Sequence, residues 1–260
     1  MRITSVLRDY NASTSKLAEA INFEPALVTR ILRLANSPLY ALEKNVATIQ
    51  QALTAVGTMV VHDIVMMELT SATFSKAINR SPHVKKIWKH SLAVALLARE
   101  LSRMLKNRGT EEAFVCGLLH DIGKIIMLTH DEKAFAEICE GLSEGEMLRE
   151  ETARFGYTHA EVGALVARRW GLPEEVCNSI MNHHNPAQAE KQMVVTYVVD
   201  VADIIANHHG AGLREEDENR LAFSNSVMKL GLDPEQVEAA WANIEQSLNE
   251  VVQTFAAGAR

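Results

Sequence analysis

The chain has 260 residues, of which 47% are hydrophobic and 23% charged, and its formal net charge is −7. This composition is typical of a soluble globular protein, long enough for a well-buried core in one large domain or two modest ones. The acidic balance and the lack of a long Lys/Arg block argue against binding to a nucleic-acid polymer. We also expect neither a signal peptide nor a membrane span, because no run of about eighteen residues is free of charge.

Helix starts recur along the chain, whereas alternating strand patterns are absent apart from short Val-rich runs. The predicted starts are Pro25, the capping boxes Thr48/Gln51, Ser143/Glu146 and Thr158/Glu161, and the prolines Pro82, Pro173 and Pro234. We therefore predict an all-α fold. The sequence offers only a weak division between modules, near residues 79–82. We therefore predict an N-terminal helical module (1–80), a helical core (81–210) and C-terminal helices that pack on the core (211–260).

The three cysteines, Cys116, Cys139 and Cys177, are widely spaced and lie in apolar helical contexts. An odd number in such contexts predicts reduced core residues, as in a cytoplasmic protein, rather than disulfides.

The segment 114–128 places an adjacent His120 and Asp121 inside an otherwise apolar helix, which we predict to begin near Thr110. Burying two ionisable side chains there is costly unless a metal or an opposite charge pairs with them. Adjacent helical residues differ in direction by about 100°, so both reach one point only if it lies between their faces. A solvated pair at a bend near Gly123 is the alternative.

Two further ionisable residues are predicted to point inward. His90 shares the apolar face of its helix with Val94, Leu97 and Leu101, and Asp203 lies in a strongly apolar helix. A hydrogen-bonded core histidine would explain His90 alone. A buried carboxylate without a partner is rare, so we expect Asp203, or Asp200 one turn before it, to meet a cation.

His159 lies in the first turn of a helix, and His183 and His184 lie at the end of the next, where histidines can simply complement the helix dipole. Taken together with His90, His120, Asp121 and Asp203, however, these residues predict a metal site. Imidazole with carboxylate suits Fe, Mn, Zn or Ni. One aspartate able to bridge two ions gives enough ligands for a dinuclear site, as used in phosphate ester hydrolysis.

The order of these residues resembles the HD superfamily of metal-dependent phosphohydrolases, whose central motif is similar to HDIGK at 120–124. Over most of its length the chain resembles the HD-related output domain, HDOD. The matching blocks are TRILRLANSPLY (29–40), TIQQALTAVG (48–57), WKHSLAVA (88–95), GLLHDIGK (117–124), THAEVGALVARRWGLP (158–173), HHNP (183–186) and VADIIA (201–206). The resemblance implies an HD-type helical bundle and a role in bacterial signal transduction.

Carried over by residue, the resemblance assigns the four HD metal ligands to His90, His120, Asp121 and Asp203. It matches His159, His183 and His184 to the additional metal-binding histidines of the related HD-GYP phosphodiesterases. If hydrolysis occurs, metal held by Asp121 would activate a water while Lys124 stabilises the phosphoryl oxygens, which makes Asp121 and Lys124 the catalytic residues. No Gly-Tyr-Pro motif follows His184, which argues against cyclic-di-GMP cleavage.

Three functions follow as hypotheses. The first is a bacterial signalling module with one or two divalent metal ions, whose N-terminal helices bind a protein partner. The second is a metal-dependent phosphohydrolase acting on a nucleotide or other phosphate ester. The third is a metal-free regulatory scaffold in which the His/Asp cluster is only hydrogen-bonded. The sequence leaves the substrate, the ion, the partner and the oligomeric state open.

Overall fold

The computed structural model describes residues 14–22, 25–36, 42, 45–106, 110–139, 142–189, 194–212, 220 and 224–257. Its described part is helical and contains no strand, which confirms the predicted all-α class. The α-helices are α1 (Thr14–Asn22), α2 (Pro25–Ala35), α3 (Ile49–Ala55), α4 (Thr58–Arg80), α5 (Pro82–Met104), α6 (Thr110–Leu119), α7 (Ile122–His130), α8 (Glu132–Cys139), α9 (Glu144–Phe155), α10 (His159–Trp170), α11 (Glu174–Asn182), α12 (Val194–His208), α13 (Asn225–Leu230) and α14 (Pro234–Ala257). A 3-10 turn, Pro186–Gln188, follows α11.

The predicted helix starts are set by local chemistry that the structure shows directly. Ser81 caps α5 with Pro82 in its first turn, and α2 and α14 begin at Pro25 and Pro234. In the three predicted capping boxes, the N3 side chain accepts a hydrogen bond from the N-cap backbone N–H, as the Gln51 side chain does from Thr48. Residues 37–40, the end of the block TRILRLANSPLY, lie outside the described residues.

Contacts divide the chain into two compact units, one of residues 1–75 and 246–260 and the other of residues 76–245. The predicted boundaries at 80 and 210 stay a prediction. In the first unit, α1, α2 and α3 pack against one another. Their buried side chains include Ile21, Leu34 and Leu53, and the Asn36 side chain pairs with both the N–H and the C=O of Val46 at 2.7 and 2.8 Å.

The second unit is built around α5, α6 and α12, which pack on one another, with α10 packed on α7 and α11. Val94, Leu97 and Leu101 of α5 are fully buried, as the sequence pattern predicts. Cys116 and Cys177 are buried and form no disulfide; the Cys139 side chain lies outside the described residues.

Two pairs of helices in this unit approach more closely than most side chains would allow. A Cβ added at Gly117 of α6 would lie 2.9 Å from Ala95 Cα of α5, and one added at Gly123 of α7 would lie 1.9 Å from the backbone oxygen of His159 in α10. Only glycine permits the close contacts of α6 with α5 and of α7 with α10. These contacts bring together the elements that carry His90, His120 and His159.

Candidate metal centre

The predicted single helix over residues 114–128 is in fact two helices. The chain leaves α6 after Leu119 and re-enters a helix at Ile122, so that His120 and Asp121 form the turn between α6 and α7. The bend, rather than the regular spacing of one helix, is what lets both side chains face the same space. The solvated-bend alternative does not hold, since both residues are only 1% exposed.

A first group of side chains surrounds one oxygen of Asp121. His90 Nε2 lies 3.8 Å and His120 Nε2 3.4 Å from Asp121 Oδ2. Asp203 Oδ1 completes the group at 2.8 Å from His90 Nε2 and 3.9 Å from His120 Nε2. The ligand atoms of His90, His120 and Asp121 lie within 4.8 Å of one another, a distance that one cation spans at about 2 Å per bond. Asp203, from α12, approaches this group from the side of the two histidines.

A second group surrounds the other oxygen of the same aspartate. Asp121 Oδ1 lies 3.4 Å from His159 Nε2 and 3.7 Å from His183 Nε2. His184 Nε2 lies 2.8 Å from His159 Nε2. Asp121 therefore stands between two groups of imidazoles, one on each carboxylate oxygen. The ligand atoms of Asp121, His159, His183 and His184 lie within 4.8 Å of one another, as do those of His90, His120 and Asp121.

Three of these imidazoles are held by hydrogen bonds at Nδ1. His120 Nδ1 lies 2.7 Å from the Gly117 carbonyl oxygen, and His183 Nδ1 lies 2.6 Å from that of Ile180. His159 Nδ1 lies 2.8 Å from Glu151 Oε1. Because a carbonyl oxygen can only accept, His120 and His183 donate from Nδ1 and present the Nε2 lone pair to the centre. Burial raises the pKa of Glu151 to about 7, and in its ionised form Glu151 accepts from His159 Nδ1 in the same way.

Several buried polar atoms of this cluster point at one another or lack a hydrogen-bond partner in the described part of the chain. His159 Nε2 and His183 Nε2 face each other at 3.4 Å, and the hydrogen bond that His183 Nδ1 donates to Ile180 leaves His183 Nε2 with a lone pair. Three more buried polar atoms, His90 Nδ1, His120 Nε2 and Asp121 Oδ1, have no hydrogen-bond partner among the described residues. Buried polar groups are normally satisfied. The donor set of imidazole nitrogens and carboxylate oxygens fits a divalent transition metal.

The protonation states favoured by the surroundings are those that a metal requires. Burial opposes ionisation of Asp121, but His120 and Lys124 outweigh it and hold the pKa of this carboxyl well below its ordinary value. Burial, together with Lys124, holds the pKa of His159 well below its ordinary value. Burial and His183 lower the pKa of His184 to about 3. At neutral pH Asp121 is therefore a carboxylate, and His159 and His184 are neutral imidazoles, which are the forms that bind a metal.

Lys124 is buried and donates a hydrogen bond to Asp121 Oδ2 at 2.7 Å. One turn into α7, it supplies a positive charge at the edge of the first group. Asp200, the alternative to Asp203 in the sequence, lies one turn earlier on α12 and lines an adjacent pocket with His184, instead of joining either group around Asp121.

Two glutamates that support the histidines were missed from the sequence. Glu151 is fully buried and accepts hydrogen bonds from both the backbone N–H and Nδ1 of His159. Glu144 Oε1 lies 2.6 Å from His184 Nδ1. Such carboxylates fix the orientation of a metal-binding imidazole. One feature of the sequence could have indicated that Glu151 is buried: it lies four residues after the apolar Met147, so both share one face of α9.

The run 112–130, which includes this turn, is long and apolar enough to cross a membrane by length and composition. Its most apolar window, however, is 83% buried inside the protein, as in the core helix of a soluble protein. The two helices of the run thus serve as core elements that carry the centre.

Among proteins of known sequence, the chain is 26% identical over 200 residues to an uncharacterized protein of Treponema pallidum, covering 74% of this chain and 37% of that one. It is 32% identical over 165 residues to a ribonuclease Y of Thermus thermophilus, covering 63% of this chain and 24% of the enzyme. The chain thus spans only about a quarter to a third of the length of these curated relatives.

Among solved structures, a protein of Shewanella amazonensis assigned provisionally as a phosphohydrolase is 25% identical, with a TM-score of 0.76 and coverage of 97% of this chain and 91% of that one. An HDOD domain protein of unknown function from Geobacter sulfurreducens shares the fold at 23% identity, with a TM-score of 0.71 and coverage of 98% and 89%. The family model described as the HDOD domain matches residues 1–186. The chain belongs to the HDOD domain family.

Proposed function

We propose that the protein is a cytoplasmic bacterial signal-transduction module that has kept an HD-type metal centre. The observation that carries this proposal is the position of Asp121, whose two oxygens face two separate groups of histidines. Membership in the HDOD family supports the signalling role, and the N-terminal helices are proposed to bind a protein partner. The imidazole and carboxylate set favours Fe, Mn, Zn or Ni over Mg or Ca.

One or two ions fit this centre. His90, His120 and Asp121 would hold the first ion, with Asp203 as a fourth ligand beside the two histidines, and Asp121 with His159, His183 and His184 would hold the second. The hydrogen bonds to Gly117, Ile180 and Glu151 fix three of the rings before an ion arrives. Preorganised ligands of this kind lose little conformational entropy on binding.

A phosphohydrolase activity is the second candidate, and the pocket that shares His184 with the centre favours it. A bound divalent ion would supply Lewis-acid catalysis and an activated water. Lys124 would provide positive charge for phosphoryl oxygens, and the apolar walls around the centre would limit access of bulk water. The curated relatives include ribonucleases, but the net charge of −7 does not suit a polymeric nucleic acid.

Metal analysis of protein purified without a histidine tag tests the proposal. We expect near-stoichiometric or higher content of one transition metal in the wild type and a loss of most of it in Asp121→Asn. Asp131→Asn is a matched control, because Asp131 is exposed, caps α8 through the Ala134 N–H and is replaced by an equally good capping residue.

The same preparations separate the three hypotheses. Hydrolysis of a general phosphate ester such as bis(p-nitrophenyl) phosphate by the wild type, lost in Asp121→Asn, would show an enzyme. Metal without hydrolysis would support the signalling module. A metal-free wild type, with a melting temperature that neither chelation nor added metal changes, would overturn the metal proposal and leave the scaffold.

A further inference from the structure

Three side chains of metal-binding types lie together at the C-terminal end of α12, outside the centre around Asp121. His208 is the last residue of α12, His209 follows it, and Glu238 lies in the second turn of α14. Each offers one ligand atom, and these atoms lie within 4.8 Å of one another. All three residues belong to the unit of residues 76–245. The end of α12 and the start of α14 are therefore close enough to share one ion.

Helix geometry separates this group from the centre around Asp121. Asp203, the residue of α12 that approaches that centre, precedes His208 by five residues and His209 by six. Five to six residues correspond to a rise of about 8–9 Å and to directions about 120–140° apart around the helix axis. An ion with bonds of about 2 Å cannot join side chains that leave the helix in this way. The group is therefore a site of its own.

The ring of His209 is held in place by α14. It stacks on the indole of Trp241, with the ring centroids 4.4 Å and the planes 2° apart. Trp241 lies three residues after Glu238, on the same face of α14, and His209 Nε2 lies 3.8 Å from Glu238 Oε2. This separation is too long for a hydrogen bond, but two bonds of about 2 Å to one ion span it. His209 Nε2 is itself buried and has no hydrogen-bond partner among the described residues.

The backbone that carries the two histidines is also fixed. Gly210 has a φ of +70°, and the Ala211 N–H donates to the Ala206 carbonyl oxygen at 2.8 Å, which closes the end of α12 in a Schellman motif. The ring of His208 lies at 87° to that of His209, with centroids 5.1 Å apart. A ligand set arranged in this way before an ion arrives loses little conformational entropy on binding.

The surroundings favour a cation that binds imidazole. The C-terminal end of α12 carries the negative end of the helix dipole, which attracts cations. Burial lowers the pKa of His209 below its ordinary value, although Glu238 and Glu245 oppose this shift. The ring is therefore neutral at neutral pH and has a lone pair to offer. The Glu238 side chain is 62% exposed, so an ion can reach the group from solvent.

We propose that His208, His209 and Glu238 bind a divalent transition metal such as Zn²⁺ or Ni²⁺, in a solvent-accessible site separate from the centre around Asp121. Two imidazoles with one carboxylate suit these ions better than Mg²⁺ or Ca²⁺. Three protein ligands leave a coordination position for water. A bound ion ties the end of α12 to α14. The site goes beyond the proposed function and does not depend on it.

Titration of the untagged full chain with Ni²⁺, followed by tryptophan fluorescence, tests this site. Ni²⁺ is an open-shell ion that quenches indole emission at short range, and an ion on His209 lies next to Trp241. We expect saturable quenching in the wild type, of which one component is missing in Trp241→Phe. That comparison subtracts the signals of the other tryptophans, Trp88 and Trp170.

Two ligand variants assign the component. Glu238→Gln and His208→Gln each remove one ligand and should weaken the Trp241 quenching by about tenfold or more, since even the loss of a residue that only orients a ligand costs 10–100-fold. Glu235→Gln and His130→Gln are the matched controls, because they change an exposed glutamate of the same helix and an exposed histidine elsewhere. Both controls should titrate as the wild type does.

The Asp121→Asn variant separates this site from the proposed metal centre. Trp241 quenching that persists in Asp121→Asn supports a site of its own, and this result is independent of whether the wild type holds metal at the centre. Three results would overturn the inference: no saturable Trp241 component, a component as strong in Glu238→Gln as in Glu235→Gln, or a component lost in folded Asp121→Asn. Should Asp121→Asn fail to fold, the pair of glutamate variants still decides, because both positions are exposed.

Discussion

Replacement of Gly123 by alanine gives a direct test of the geometry that forms the metal centre. An ideal Cβ at this position lies 1.9 Å from the carbonyl oxygen and 2.7 Å from the carbonyl carbon of His159. Both atoms belong to the backbone at the first turn of α10, so no side-chain rotation relieves the clash. Either α7 or the start of α10 has to move.

The size of this movement follows from the distances. Non-bonded contacts of a Cβ are essentially never shorter than 3.0 Å, so the two segments must separate by about 1.1 Å, the difference between 3.0 and 1.9 Å. Overpacking of this kind costs about 1–3 kcal/mol of stability. It also moves His159 away from Asp121 by an amount comparable to half a metal–ligand bond of about 2 Å, and we expect metal affinity to fall by about 10–100-fold.

Thermal or urea unfolding and metal titration of Gly123→Ala measure both effects. Gly145→Ala is the matched control: Gly145 also lies in a helix, and its added Cβ meets only the end of the Arg149 side chain at 3.7 Å. That variant should be neutral or slightly more stable, since alanine favours a helix by up to about 1 kcal/mol over glycine. A Gly123→Ala protein with wild-type stability and metal affinity would refute the inferred contact between α7 and α10.

Three other predictions concern the centre and its surroundings. Chelation of metal-loaded protein should lower its melting temperature, because binding at 100 times Kd stabilises the folded state by about 2.7 kcal/mol; an unchanged melting temperature would contradict metal binding. Glu151→Gln should weaken metal binding about 10–100-fold in a titration, because the carboxylate that holds His159 Nδ1 is lost; unchanged affinity would show that this contact is dispensable. Burial raises the pKa of Asp200 to about 7 from an ordinary 3.8, so between these pH values the unfolded chain releases a proton that the folded protein keeps, and stability falls as pH rises by roughly 1.4 kcal/mol per pH unit. Asp200→Asn removes this loss of stability, so the melting temperature of the variant minus that of the wild type should increase from pH 5 to pH 8. A difference that does not change with pH would refute the raised pKa of Asp200.

Lys124 bears on the choice between the proposed functions. Its ammonium group pairs with Asp121 Oδ2 at 2.7 Å, on the side of that carboxylate that faces His90 and His120. In a metal-free scaffold this ion pair would be the principal compensation for the buried carboxylate. In a metal-loaded protein the same lysine is close enough to the centre to interact with a phosphate. Metal content therefore decides which of these roles the lysine has.

The sequence by itself determined the helices and the direction of their inner faces. The capping box of Thr158 and Glu161 involves residues three positions apart, and the inward direction of His90 follows from apolar residues four, seven and eleven positions later. These are interactions within one helix, and helical periodicity makes them visible in a single segment. The resemblance to HDOD proteins, carried by motifs in order along the chain, added the expectation that distant histidines meet.

Tertiary packing alone decided how those histidines meet. The break between α6 and α7 at His120 and Asp121 replaced the single predicted helix, and the contact of Gly123 with α10 placed His159 beside Asp121. Nothing in the sequence singled out Glu151, yet it is fully buried against His159. The reason is physical: helix propensity and periodicity act over a few residues, whereas crossings between helices depend on the shapes of surfaces far apart in the chain.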